Sequence, residues 1–226
     1  MSPLRSILVA VKPGALDRHP QPSATALAAR AGAHLTVLSV ADSPSSRGGI
    51  PSIEIAREAE ATGTDLIVLG RELPRPTDLR HRGNTVEGTV RRARVPCLVV
   101  PRGQQVFARV LAAVDGGPDA GTVIAAANVV ARLFDGSVRA VRVEPAVLAE
   151  VGAPTGRDEI APARGDDTII CQGDPVSEIL SVVREEGVDL LVFGHHRGGP
   201  VSTHATSGVA ARLLQRAPCA VLTVPI

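Results

Sequence analysis

Short apolar runs, separated by polar segments bearing glycine and proline, set the pattern of this chain. Ser6–Val11 (SILVAV) and Arg109–Val114 (RVLAAV) are continuous apolar runs of strand length, as expected for strands buried on both faces of a parallel sheet. After the first run, a polar Pro/Gly segment leads into a predicted helix from about Ser23 to Arg30, stopped at Gly32, and then a strand at Leu35–Val40. The second half repeats the order, with a turn at Asp115–Pro118, a helix to Phe134 stopped at Gly136, and a strand at Val138–Val143.

The repetition extends further. GGIPSIEIAREAEATGTDLIVLG (Gly48–Gly70) matches QGDPVSEILSVVREEGVDLLVFG (Gln172–Gly194) at a fixed spacing of 124 residues, which also pairs Asp65 with Asp189 and Pro101 with Pro225. The beginnings of the halves match at a spacing of 103, pairing Val11 with Val114, Lys12 with Asp115 and Val40 with Val143. The first copy is therefore 21 residues shorter between Val40 and Gly49. In the second copy that interval holds a loop rich in Pro, Gly and charge (Glu144–Asp167) and a strand at Thr168–Cys171. The eight residues Ala41–Gly48 are too few for a crossover and a strand, so the first copy has lost one strand. Each copy reads β-α-β-(β)-α-β-loop-α-β, which predicts an α/β fold with an open, mostly parallel sheet and helices on both faces. The boundary falls near Gly103–Gln104, giving units 1–103 and 104–226.

Within the second unit, Leu190–Pro225 reads as a buried strand, a glycine-rich turn, a short helix and a second buried strand. Ser207 or Thr206 is placed to cap that helix, with Val209, Leu213 and Leu214 on one face. Strand, glycine-rich loop and helix N-terminus together make an anion site, because free backbone N–H groups and the helix dipole both favour negative charge. In an open α/β sheet the ligand crevice lies beyond the carboxyl ends of the strands where the strand order reverses. Asp115 and Gly194 end strands one and four of the second copy and face one crevice if those strands are neighbours.

Composition narrows the function classes. With three Phe and no Trp or Tyr, the chain lacks stacking platforms for single-stranded nucleic acid. A net charge of +1 gives no strong attraction to nucleic acid or an anionic membrane. Arg91, Arg92 and Arg94 read as a solvated helix face. Cys97, Cys171 and Cys219 lie in apolar runs without a CxxC pair and read as buried thiols of a reducing, cytoplasmic compartment. No run of 18 apolar residues predicts a membrane span. The only lysine, Lys12, stands in no G-x4-G-K-[ST] loop, which excludes P-loop chemistry. His195, His196 and His204, with Asp189 nearby in sequence, read as a solvent-facing loop rather than a metal site. Ser202, Thr203, Ser207 and His196 lie in no nucleophile elbow, so no catalytic residue is assigned.

The Asp115 turn, the glycine that ends strand four and the spacing after it resemble the universal stress protein family, as a tandem pair covering almost the whole chain. The family pattern is G-x2-G-x9-G-[ST]. In the second copy its positions hold Gly194, Arg197 and Ser207-Gly208; in the first they hold Gly70, Leu73 and Gly83-Asn84. The resemblance implies two Rossmann-like, adenine-nucleotide-hydrolase-like sheets of strand order 3-2-1-4-5, the first copy lacking its edge strand 3. It implies that Cys97–Val100 and Val221–Val224 pair across an intramolecular pseudo-dimer, with a homodimer as a further expectation. It also implies an adenine-nucleotide site in the second copy, for ATP with Mg²⁺, at Ala113, Asp115, Val143, Phe193, Gly194, Arg197, Ser207, Gly208 and Val209. Asp115 would contact the adenosine, Val143 and Phe193 would wall the base, and Arg197, Ser207, Gly208 and Val209 would hold the phosphates. Lys12 takes the place of that aspartate in the first copy, which is therefore expected not to bind nucleotide. Two functions stay open: a nucleotide-binding stress-response module with at most slow ATP hydrolysis, and a nucleotide-free scaffold acting through dimerisation or protein partners.

Overall fold

The computed structural model describes residues 4–13, 19–40, 50–71, 84–144, 168–196 and 208–226. Among them the chain runs β1 (Ser6–Val11), α1 (Gln21–Ala31), β2 (His34–Ser39), α2 (Pro51–Ala61), β3 (Leu66–Arg71), α3 (Asn84–Arg92) and β4 (Cys97–Pro101). The second half follows with β5 (Arg109–Val114), α4 (Ala120–Leu133), β6 (Ser137–Glu144), β7 (Thr168–Gln172), α5 (Pro175–Glu185), β8 (Leu190–His195), α6 (Val209–Arg216) and β9 (Ala220–Pro225).

The nine strands form one sheet of order β2-β1-β3-β4-β9-β8-β5-β6-β7. Numbered within each repeat, the second half runs 3-2-1-4-5 and the first half 2-1-4-5, with no described strand beyond β2. The expected pair of sheets is thus a single continuous one. All pairings are parallel except β4 with β9, where Cys97, Leu98 and Val99 face Thr223, Leu222 and Val221. Edge-to-edge pairing satisfies main-chain groups that each half would otherwise leave open.

Alternation along the strands divides the core between the two faces. Helices α1 and α4 cover one face through Leu27, Ala28, Val123, Ala126 and Val130. Helices α2, α3, α5 and α6 cover the other through Ile55, Val90, Ile179, Leu180 and Leu213. Both layers run without a break across the two repeats. The segment joining the repeats is pinned rather than looped out: Phe107 is fully buried and meets Phe134 edge-on at 5.2 Å, and Ser23 Oγ donates to Gln104 O at 2.6 Å.

The matched aspartates Asp65 and Asp189 explain how each repeat closes. The Asp65 carboxylate accepts the N–H groups of Arg5 and Ser6 at 2.8 and 3.0 Å, and the Asp65 N–H donates to Ser6 O at 2.8 Å. In the second repeat Asp189 accepts the Arg109 N–H at 3.0 Å and donates its own N–H to Arg109 O at 2.8 Å. A carboxylate so placed caps the otherwise open start of strand one.

Candidate functional site

Strands β5 and β8 are hydrogen-bonded neighbours, so the chain ends of both open on one crevice at the point where the strand order reverses. Ala113 pairs with Phe193 in that ladder, and both belong to the core layer under α5 and α6. Val143, near the end of β6, packs partly buried against the same layer. Ala113, Val143 and Phe193 therefore share one face, with Ala113 and Phe193 buried in it.

Asp115 follows β5 directly. Its Oδ1 accepts the Gly117 N–H at 2.8 Å, an Asx turn that fixes the carboxylate at the crevice mouth. Gly116 has φ +78°, a value that disfavours side chains, so the Asp-Gly-Gly sequence is what the turn requires. Among the described residues Oδ2 makes no hydrogen bond and remains available as an acceptor. Arg142, a residue that sequence reasoning did not single out, lies over the turn: a Cβ on Gly116 would meet its guanidinium carbon at 3.2 Å. Arg142 also pairs with Glu144 at 3.1 Å. The signal for it was present in the alternation of β6, since Arg142 stands opposite Val114 at the very end of the β5–β6 ladder.

Gly194 is the next-to-last residue of β8. A Cβ there would meet Ile226 Cδ1 at 2.6 Å and Val123 Cγ2 at 3.3 Å, both on the α4 side of the sheet. The backbone of β8 is thus approached closely by the chain's own Ile226. The first repeat does the same with other residues: a Cβ on Gly70 would meet His19 Cδ2 at 2.8 Å, and His19 Nε2 is hydrogen-bonded to Val100 O at 3.1 Å. The glycine one residue before the end of strand four is closely approached by the chain's own side chains in both repeats.

The phosphate end of the expected site is only partly described. Arg197 and Ser207 lie outside the described residues, as do Thr206, His204, Ser202, Thr203, Leu73 and Gly83. Gly208 is the N-cap of α6, with extended φ −67° and ψ 157°, and Val209 opens the helix at 40% exposure. Two expectations are corrected here. The N-cap is Gly208 rather than Ser207 or Thr206, and Val209 stands out in solvent while Leu213 and Leu214 alone enter the core. In the first turn of α6 it is Ala210, rather than Val209, that packs partly buried against the core.

Asp189 does not accompany the histidines. It precedes β8 while His195 ends it, so the two lie at opposite ends of the strand. Among the described residues no cluster of His, Cys, Asp or Glu has the arrangement of a metal site. The three cysteines are free and buried; burial pushes the Cys97 thiol up to about 12 and the Cys219 thiol up to about 11. Arg91, Arg92 and Arg94 end α3 or follow it, with Arg92 on Ser52 and Gly88 O and Arg94 paired with Glu60 at 2.9 Å.

An open cleft of about 410 Å³ lies at the amino ends of β8 and β9, away from the crevice, and is lined by Gln104, Val106, Val188, Asp189, Pro218 and Cys219. Its polar groups are already engaged: Asp189 holds Arg109, and the Gln104 amide bridges Asp189 O and Ala220 N. We therefore place the candidate site at the β5/β8 crevice on chemistry rather than on cavity size.

Residues 148–225 match the model of the universal stress protein family. The match falls entirely within the second repeat. No curated protein sequence matches the chain at a significant level. Among solved structures, a protein from Pseudomonas aeruginosa UCBPP-PA14 assigned to the universal stress proteins superposes with a TM-score of 0.76 at 19% identity, covering 98% of this chain and 93% of that one. A protein of unknown function from Pseudomonas aeruginosa PAO1 gives 0.74 at 18% identity, covering 98% and 92%. A universal stress protein from Archaeoglobus fulgidus DSM 4304 gives 0.63 at 19% identity, covering 98% and 88%. At these identities the likeness establishes the fold, and it spans both repeats. No helix among the described residues is long and apolar enough to cross a membrane.

Proposed function

We propose that the second universal stress protein repeat binds an adenine nucleotide, ATP with Mg²⁺ by the family resemblance, and acts as a nucleotide-responsive stress module. The observation that carries this reading is Asp115. Its carboxylate is held by the Gly117 N–H with one oxygen open, beside an apolar face formed by Ala113, Val143 and Phe193. A carboxylate acceptor at the mouth and a flat apolar wall behind it suit a ribose hydroxyl and a purine. Gly208 and Val209, at the exposed start of α6, would face the phosphates together with Arg197 and Ser207. Lys12 holds the place of Asp115 in the first repeat, so binding is assigned to the second alone.

A nucleotide-free scaffold is the second reading, favoured by the filling of the Gly194 surface by Ile226 and Val123. One measurement separates the two. The chain has no Trp or Tyr, so a bound adenine dominates its near-ultraviolet absorption. The nucleotide reading expects that band in purified protein, or about 2.7 kcal/mol of added stability with ATP and Mg²⁺ a hundredfold above Kd. Protein with neither the band nor the stabilisation supports the scaffold.

A further inference from the structure

Among the described residues the sheet ends at β2 on the side where the second repeat continues to β7. The second repeat shows what the extra strand does. Val37 and Ala140 occupy matching positions, and Ala140, which pairs with Thr168 of β7, is 7% exposed while Val37 is 42% exposed. Ile50 matches Asp174, which follows β7 by two residues, and is 55% exposed. Two of the four large exposed apolar side chains among the described residues therefore border the place of the missing strand.

The main chain at that edge is equally open. The His34 N–H donates to Arg5 O and the Val40 N–H to Val11 O, so the even-numbered residues of β2 bond to β1. Successive residues of a strand direct their N–H and C=O to opposite sides. Leu35, Val37 and Ser39 consequently direct theirs outward, and among the described residues no strand receives them. The strand reads HLTVLS, with no Lys, Arg, Asp, Glu or Pro, and so lacks the usual devices that keep an edge from pairing.

We infer that β2 is the interface for a second copy of this chain, paired antiparallel through Val37. The fold already joins its own repeats by this operation at β4 and β9, where antiparallel edges meet about a residue pair. A twofold axis normal to the sheet keeps each face with its like, so the residue at the centre must face itself. With Val37 at the centre, Leu35 faces the partner's Ser39 and Ser39 the partner's Leu35. All three outward residues then form hydrogen-bonded pairs, and Val37 is covered by its counterpart. Centring on Thr36 leaves Ser39 without an opposite number within the strand. The pairing is isologous and closes at two copies, whereas β2 on the partner's β7 edge would propagate.

The test is the oligomeric state of the full chain by sedimentation equilibrium, with Val37→Lys, Val37→Pro and Val37→Cys. The Val37 N–H is not used within the chain, so proline is tolerated there as at other strand edges. Wild-type protein is expected to be dimeric, and the lysine and proline variants monomeric but still folded, with melting temperatures that no longer rise with protein concentration. Paired Val37 Cα atoms would stand about 5.5 Å apart, within disulfide range. Mild oxidation of Val37→Cys should then give a covalent dimer, because the native cysteines are buried. If the proline chain does not fold, the lysine and cysteine variants decide. A monomeric wild type, a dimer indifferent to lysine at Val37, or a dimer lost on placing lysine at Ile170 of β7 instead would overturn the inference.

Discussion

Leu98 and Leu222, which hold the same position in the two repeats 124 residues apart, stand directly opposite each other in the β4–β9 ladder. The axis relating the repeats therefore passes between them. Each is fully buried, and both lie in the core layer under α1 and α4. Thr223 Oγ1 donates to Cys97 O at 3.3 Å across the same join, which keeps the one hydroxyl there satisfied. The two halves are fused through equivalent residues, so neither can be removed without exposing the other's edge.

Truncating either leucine should cost about 2–5 kcal/mol. Leu98→Ala with Leu222→Ala should cost less than the sum of the singles, since the second truncation widens a cavity the first has opened. Denaturant titration of the three variants checks this; strict additivity would mean that the two side chains do not share one packing site.

Arg71 locks the other face of the join. It ends β3 in the first repeat, and its guanidinium donates to Leu214 O at 3.0 Å and Cys219 O at 2.8 Å in the second. Burial lowers its pKa, yet the two carbonyls hold a charged group in place. Arg71→Ala should destabilise by about 2–3 kcal/mol, the range for hydrogen bonds to charged groups. Arg71→Lys should recover only part of that, because an ammonium lacks the planar fork that reaches both carbonyls. Faster amide exchange confined to the end of α6 would be the local signature.

These two relationships differ in how they could be read beforehand. The strands were legible because burial on both faces leaves an unbroken apolar run, as in Leu190–Phe193 and Cys97–Val100. The shift from a spacing of 103 to 124 located where the repeats differ in length, since a repeat is its own alignment. Arg71, Arg142 and His19 were not legible. Each acts across 80 or more residues, or between strand ends, and nothing in local spacing reports where a long side chain lands. Val209 misled for a related reason: helical periodicity gives a stripe but not which of two neighbouring positions, here Val209 and Ala210, faces the core. The Asp115 turn of the candidate site was legible, because an Asp-Gly-Gly sequence is local.

Asp174 gives an acid-limb prediction. It caps α5, and the Ser177 N–H, then the Ser177 hydroxyl, then Arg212 hold its carboxyl below the usual range. A depressed folded-state pKa contributes stability above the unfolded value of about 3.9. That contribution is lost as pH falls through the folded value. The melting-temperature gap between wild type and Asp174→Ala should be full at about pH 6 and close below about pH 4. A gap that persists in acid would assign it to helix propensity rather than the cap.

Cys97 and Cys219 give the alkaline limb. Burial raises both thiols from 9.0, to about 12 and about 11, so the folded state keeps protons that the unfolded chain releases. Stability should therefore fall as pH rises past 9.0 towards about 11. Cys97→Ala with Cys219→Ala should flatten that decline, measured by urea midpoint against pH. An unchanged slope would place the alkaline loss in other groups.

Asp115 allows the turn and the proposed ligand to be separated. Asparagine keeps an Oδ1 acceptor for the Gly117 N–H but replaces Oδ2 by an amide donor; alanine removes both. Asp115→Asn should hold stability within about 0.5 kcal/mol and weaken adenine-nucleotide binding, because a ribose hydroxyl needs the open acceptor. Asp115→Ala should lose the binding and also about 1 kcal/mol with the turn. Lys12→Ala should leave nucleotide binding unchanged. Calorimetric titration of ATP into the three variants, beside their melting curves, reads both effects. Equal loss from Lys12→Ala would move the site to the first repeat. Full binding by Asp115→Asn would show that the carboxylate serves the turn alone.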